Sequence, residues 1–207
     1  YEKITDGQGR RLVGFSHQAG QAGMIDGLHV LGQRLLWEGI STAIADLAMA
    51  SGYSDLKAAR LAIRRLGQRI AAGELPPDLG PLVIGITGYG DVSRGAQDAL
   101  EGLPVVELTP EALLAGRGLP DHRRVVKVVF HEEHGVERLD PAARFDLQHY
   151  LREPEAYRSR FADYLPHLHL LVNGIYWNLQ YPRLVTCADA AQLYAGEQPR
   201  LRVIADL

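Results

Sequence analysis

The 207-residue chain has a single cysteine, Cys187. That excludes an internal disulfide and a zinc site built on cysteines, and it suits a reducing compartment. Long apolar runs are also missing. None approaches the roughly 18 residues of a membrane span, and the polar opening Tyr1-Glu-Lys-Ile-Thr-Asp-Gly is not a signal peptide. No excess of charge of one sign is present: 22 Lys and Arg against 25 Asp and Glu leave a net charge of −3, which gives no electrostatic attraction for nucleic acid or an anionic membrane. No Ser-His-Asp set and no paired inward carboxylates announce hydrolysis. His131-Glu-Glu-His134 spaces its histidines by three rather than four and falls in an expected loop, so no metal site is expected. His167 and His169 flank a strand start and read as structural or exposed. Repeats and low-complexity segments are absent. The expected protein is soluble and cytoplasmic, or in the mitochondrial matrix if the source is a eukaryote, with neither nucleic acid nor membrane as a partner.

What is present centres on residues 82–96, Leu-Val-Ile-Gly-Ile-Thr-Gly-Tyr-Gly-Asp-Val-Ser-Arg-Gly-Ala. An apolar run, Leu82 to Ile86, breaks into close-set glycines and then a helix-forming stretch. This is the strand–turn–helix opening of a dinucleotide-binding βαβ unit. Glycine at 88 permits the tight turn, and glycine at 90 lets backbone N–H groups approach a pyrophosphate at the helix N-terminus. The run departs from G-x-G-x-x-G, because Ser93 stands at the third glycine and Gly95 follows two residues later. The candidate cofactor turn is therefore Gly88, Tyr89, Gly90, Asp91, Val92, Ser93, Arg94 and Gly95.

The flanks fit an α/β protein. Met24, Leu28, Leu31 and Leu35 form one helical stripe that stops at Gly39. A second helix is expected from Ser54, as N-cap, to Ala71, with Gly73 and Pro76 ending it. Its Lys57, Arg60, Arg64, Arg65 and Arg69 read as a solvated face. Beyond the turn, strands are expected at Pro104–Leu108, Val125–Phe130, Leu168–Val172 and within Leu201–Leu207. Helices are expected at Pro110–Ala115, Pro154–Tyr164 and Ala188–Tyr194, with residues 131–150 a loop holding a short helix. Such alternation predicts a Rossmann-like, doubly wound, mostly parallel sheet with helices on both faces, preceded by a long helical segment. Residues 1–75 are expected to be a helical linking segment packed on the core, and 76–207 the dinucleotide-binding domain. From the non-Met start and the strand ending at Leu207 the chain is expected to be a fragment of a longer enzyme.

Glu107, 19 residues after Gly88, stands where a carboxylate would accept both ribose hydroxyls of NAD, or it is an exposed strand residue. Arg94 and Arg117 could instead neutralise the 2′-phosphate of NADP. Asn173, Tyr176 and Trp177 follow a strand, and ligands of open α/β sheets sit outside the strands' carboxyl ends. For Trp177, packing of the sheet edge competes with a cleft role.

The chain resembles the lysine–2-oxoglutarate reductase half of the bifunctional α-aminoadipic semialdehyde synthases. The resemblance rests on the glycine turn at 88–97, Gly20-Gln-Ala-Gly-Met-Ile, Tyr157-Arg-Ser-Arg-Phe, Asn173-Gly-Ile-Tyr-Trp and Pro182-Arg-Leu-Val-Thr. Saccharopine dehydrogenase and alanine dehydrogenase are more distant likenesses. It implies the cofactor-binding part of an oxidoreductase of lysine metabolism, which reduces the imine of lysine and 2-oxoglutarate to saccharopine. It implies NADP as cofactor, with NAD the alternative, and an amino acid and a 2-oxo acid as substrates in the full enzyme. Arg11 and Phe15 match an Arg-x-x-x-Phe in the family's hinge segment at the substrate cleft, though Arg11 could equally serve a structural ion pair. The family's acid/base lysine and histidine lie in a preceding domain with no counterpart here, so no catalytic residue is assigned and the isolated chain is expected to be inactive. A nucleotide-binding regulatory or interaction module without catalysis is the alternative, and an oligomer is left open.

Overall fold

The computed structural model describes residues 3–196 and 199–207. Along the chain run α1 (Ser16–Trp37), α2 (Leu56–Ala71), β1 (Leu82–Thr87), α3 (Asp91–Ala99), β2 (Val105–Leu108), α4 (Pro110–Leu114) and β3 (Val125–Phe130). They are followed by α5 (Glu132–Gly135), β4 (Val136–Arg138), α6 (Leu147–Arg152), β5 (Tyr157–Ser159), β6 (Leu170–Asn173), α7 (Cys187–Tyr194) and β7 (Val203–Asp206). Five strands form one parallel sheet in the order β2-β3-β1-β6-β7, and β4 and β5 pair antiparallel beside it. No helix among the described residues is long and apolar enough to cross a membrane.

The sheet is covered on both faces, which is why β1 is buried at all six positions. Leu82, Ile84 and Ile86 alternate onto one face, joining Val125, Leu170 and Val172 under α1, α2 and α3. Val83, Val126, Val128 and Leu171 face the other way, against Leu113 of α4 and the aromatic cluster Phe130, Phe161 and Tyr164. The expected α/β class, parallel sheet, helices on both faces and leading helical segment are all present. The stripe Met24, Leu28, Leu31 and Leu35 is fully buried and shares one core with the strands.

Helix α1 contains Gly20, Gly23, Gly27 and Gly32, each costing about 1 kcal/mol against alanine in a helix interior. Packing explains their presence. A Cβ at Gly20 would fall on the carbonyl oxygen of Val92, and one at Gly95 on that of His17. Helices α1 and α3 thus lie backbone against backbone, with His17 Nε2 3.0 Å from Asp98 Oδ2 at the rim of the contact.

Three local expectations need correction. The N-cap of α2 is Asp55, whose Oδ1 accepts the Ala58 N–H at 2.8 Å, rather than Ser54. The segment Pro154–Tyr164 is not a helix. It is a 3₁₀ turn, the strand β5 and a second 3₁₀ turn, because Tyr157–Ser159 pairs with Val136–Arg138 and buries Tyr157 among Tyr150 and Phe145. Residues 131–150 hold two short helices and a strand, and His131 and His134 cap the first of these reciprocally.

His169 stitches the amino-terminal edge of the sheet. Its Nδ1 accepts the Val83 N–H at 3.0 Å, its own N–H donates to the Val83 carbonyl at 2.8 Å, and its carbonyl accepts from Arg202 at 3.1 Å. Burial, with Arg200 and Arg202 nearby, pushes its pKa down to about 3. The folded state therefore holds the ring neutral where the unfolded chain, titrating near 6.5, takes up a proton. Stability contributed by neutral His169 is complete above about pH 6.5 and declines as pH falls toward 3. Lowering the pH from 7 to 5 should cost about 2 kcal/mol through this residue. Urea unfolding at both pH values should show that loss in the wild type and little of it in His169→Asn, which retains an acceptor. Equal losses in both would overturn the assignment.

The helix contact gives a second expectation. Gly95→Ala should lose about 1–3 kcal/mol of unfolding free energy by overpacking. Gly90→Ala, whose Cβ meets nothing within 4 Å, should lose less than about 1 kcal/mol. Chemical denaturation of both variants checks the order.

Candidate cofactor crevice

Parallel register brings the strand ends into one transverse row. Thr87 stands opposite Phe130 on one side and Asn173 on the other, and Asn173 stands opposite Asp206. The Thr87 hydroxyl donates to Asn173 Oδ1 at 2.5 Å and accepts from the Gly174 N–H at 3.2 Å. Asn173 Nδ2 donates to Asp206 Oδ1 at 2.8 Å. The carboxyl ends of β1, β6 and β7 are thus tied by one polar chain, which also sets the orientation of the Asn173 amide.

The glycine turn lies directly above this row. Gly88 has φ +83° and donates its N–H to the Phe130 carbonyl at 2.8 Å, a conformation that L side chains rarely adopt. A Cβ there would also press on Ile175, 2.9 Å away. Gly90 is the N-cap of α3 in an extended conformation (φ −77°, ψ −169°), and no side chain caps the helix. The first-turn N–H groups of α3 lack intrahelical partners, as at any helix start, and here they have no side-chain acceptor either. Among the described residues nothing crowds position 90, since the missing side chain of Gly90 would enter open space. That is the property of a cradle through which a ligand approaches the backbone.

Other candidates are placed as follows. Tyr89 is half-exposed, tilted on His131 at 4.8 Å, with its hydroxyl 3.4 Å from Glu132 Oε1. The nearby Glu132 charge and burial raise its pKa. Asp91 and Arg94 pair with each other at 2.6 Å on the exposed side of α3. Val92 abuts the loop after β6, 3.2 Å from where a Gly174 Cβ would be. Ser93 is buried and its hydroxyl accepts from Gln97 at 3.2 Å. Gly95 lies a full turn inside α3, facing α1 rather than the crevice, so the structure gives it a packing task.

Glu107 is not beside the turn. Strand β3 separates β2 from β1, and Glu107 stands opposite Lys127, whose Nζ is 2.9 Å from its carboxylate. Arg117 follows α4 next to Gly118, which lies against Leu108 of the same edge strand. Arg11 and Phe15 lie in the exposed lead-in to α1 and do not line the two pockets at the carboxyl edge.

Two hollows flank the row. One, on the β3 side, is lined by Thr87, Phe130, His131, Glu132, Ile175 and Arg183, among others, with Tyr150 behind it. Burial drives the Tyr150 phenol up to about 12, leaving it a neutral donor. The other, on the β7 side, is lined by Asn173, Tyr176, Trp177, Cys187, Asp206 and Leu207, among others. Tyr176 is exposed there, whereas Trp177 donates to the Tyr181 carbonyl at 3.0 Å and carries the Arg183 guanidinium 4.6 Å over its ring. Those contacts give Trp177 a packing role in its own loop. No group of three or more His, Cys, Asp or Glu able to hold a metal occurs among the described residues.

Sequence reasoning passed over Thr87, Glu132 and Asp206. Each sits at or just past the carboxyl end of a parallel strand, which is the signal that could have found them.

No family model matches the sequence. Comparison with curated proteins finds alpha-aminoadipic semialdehyde synthase, mitochondrial, of Rattus norvegicus, 41% identical over 194 residues, 93% of this chain and 21% of the rat protein. The Bos taurus protein of the same name is 39% identical over 201 residues, 96% and 22% of the two chains. Alpha-aminoadipic semialdehyde synthase of Arabidopsis thaliana is 37% identical over 205 residues, 93% and 19%. The chain spans about a fifth of the length of the curated relatives it matches. This chain is a homologue of one segment of the alpha-aminoadipic semialdehyde synthases, the family its motifs resemble.

Proposed function

We propose that this chain is the nicotinamide-dinucleotide-binding part of an oxidoreductase of lysine metabolism, the one that reduces the imine of lysine and 2-oxoglutarate to saccharopine. The observation that carries it is Gly90: a glycine with no internal reason to be glycine, at the uncapped start of a nine-residue helix, above the carboxyl end of the central strand. Homology to alpha-aminoadipic semialdehyde synthases supplies the chemical class. A reducing compartment, cytosol or mitochondrial matrix, agrees with the one exposed cysteine, Cys187.

On this reading the N–H groups at the start of α3 hold the pyrophosphate, and the absent side chain of Gly90 is what lets it approach. The helix dipole adds favourable potential for that anion. The Thr87–Asn173–Asp206 chain keeps the row at the crevice floor rigid and internally satisfied. Asn173 and Tyr176 then face the β7 side of the crevice, where the reacting half of the dinucleotide and the imine would meet. When bound, the dinucleotide supplies the hydride. The proton for the imine nitrogen needs a positioned donor, and the resemblance assigns that donor to the part of the family's enzymes ahead of the matched segment.

Two outcomes are expected. Calorimetric titration of the chain should give saturable binding of NADH or NADPH, weakened at least about tenfold, or about 1.4 kcal/mol, by Gly90→Ala. Absence of saturable binding of both at millimolar concentration in a folded sample would refute the reading. The chain alone should show no oxidation of NADH or NADPH dependent on lysine and 2-oxoglutarate, whereas a protein that also supplies the preceding domain should. Steady turnover by the chain alone would place the proton donor within it.

A further inference from the structure

We propose that Arg183 receives a carboxylate of the 2-oxo acid, in the hollow on the β7 side of the strand-end row. The inference rests on the oxidoreductase reading above and gives the substrate's charge a partner within this chain.

A cation is what a dicarboxylic substrate needs where it binds. Among the described residues lining the two hollows, Arg183 is the single lysine or arginine, and it borders both. Arg11, to which the resemblance points, lines neither. Glu132 and Asp206 are the acids bordering the hollows, and neither pairs with Arg183. Asp206 instead accepts from the Asn173 amide at 2.8 Å. Among the described residues the Arg183 guanidinium makes no ion pair and no hydrogen bond, so its charge and its N–H fork are uncommitted.

Exposed arginines are common, and most sweep through solvent. This one is held. Its guanidinium lies 4.6 Å over the Trp177 ring, which occupies one face of the plane and leaves the N–H edge to a carboxylate. Trp177 is fixed in turn, because its Nε1–H donates to the Tyr181 carbonyl at 3.0 Å. The loop is pinned on both sides of Arg183. The Tyr181 ring packs on Tyr150 at 5.3 Å, and the Leu184 carbonyl accepts from the Ser159 hydroxyl at 3.1 Å. Holding the side chain in this way lowers the rotamer entropy that it loses on binding.

Size selects the side. The hollow on the β3 side has a volume of about 50 Å³, room for a few water molecules. On the β7 side the volume is about 560 Å³, within the range of small-molecule sites. Charge selects the ligand. 2-Oxoglutarate is a dianion and is drawn to an unpaired guanidinium, whereas lysine carries a net positive charge and is not. Imine formation and hydride addition both take place at the keto carbon, so a carboxylate gripped by Arg183 stays in place through both.

Calorimetry on the chain saturated with NADH or NADPH tests the assignment, with 2-oxoglutarate and L-lysine titrated separately. The wild type should bind 2-oxoglutarate saturably at millimolar concentration. Arg183→Gln should weaken that binding at least about tenfold, as loss of a charge-assisted pair does. Dinucleotide affinity should stay at the wild-type value in this variant, which also shows that it is folded. Arg11→Gln should leave 2-oxoglutarate binding unchanged. Absence of 2-oxoglutarate binding, equal binding by wild type and Arg183→Gln, a loss at Arg11→Gln in place of Arg183→Gln, or a loss confined to lysine would overturn the inference while leaving dinucleotide binding intact. A comparable loss of dinucleotide affinity in Arg183→Gln would also overturn it, by giving the arginine to a cofactor phosphate. Failure of the wild type to bind either dinucleotide would instead overturn the cofactor reading, and this inference with it.

Discussion

The backbone contact between α1 and α3 is the constraint on which the rest of the arrangement depends. Two helices usually meet through side chains at 8–10 Å between axes. Here Gly20 and Gly95 remove the intervening side chains, so each helix rests on a carbonyl of the other. The four glycines of α1 oppose helix formation, and the helix forms because Met24, Leu28, Leu31 and Leu35 are removed from water entirely. Each such side chain contributes about 1.5–3 kcal/mol on burial, enough to offset the propensity cost. The consequence is positional: α3 is held laterally, and its uncapped N-terminus stays above the end of β1.

That placement meets a second constraint, the level row of strand ends. Thr87, Asn173 and Asp206 satisfy one another across three strands, so the polar groups at the crevice floor need no water or ligand to be stable. The row also divides the edge. On the β3 side the hollow is bounded by His131 and Glu132, and on the β7 side by Tyr176 and Asp206. The start of α3 lies over the row between the two hollows, at the point where strand order reverses.

Much of this was legible in the sequence, and what was not has physical causes. The buried strands β1 and Val125–Phe130 are apolar runs bounded by turn residues, and the runs mark their limits. Thr109 followed by Pro110 announced a short helix, and the threonine does accept the Ala112 N–H. Tyr157–Ser159 was illegible because its strand exists only through pairing with Val136–Arg138, a partner about 20 residues away; local preference yields to such pairing. Strand order is illegible for the same reason. Alternation along the chain says that β2 and β3 are parallel to β1, and nothing in it says which of them is adjacent.

Glu107 and Glu132 show what that missing piece of information changes. Both are glutamates close to the end of a parallel strand, and spacing in sequence favours the first. Three-dimensional placement gives Glu107 a lysine, a depth of three residues below the edge and a role in bracing α3 through Gln97 and Ser93. It gives Glu132 the rim of a hollow and a tyrosine from the glycine turn. A surface ion pair contributes little to stability by itself. Lys127, however, is mostly buried and hydrogen-bonded on both sides, so removing Glu107 would leave a cation without its counter-charge beneath α3. The Glu107 carboxylate therefore acts on the crevice only through the helix that it helps to hold.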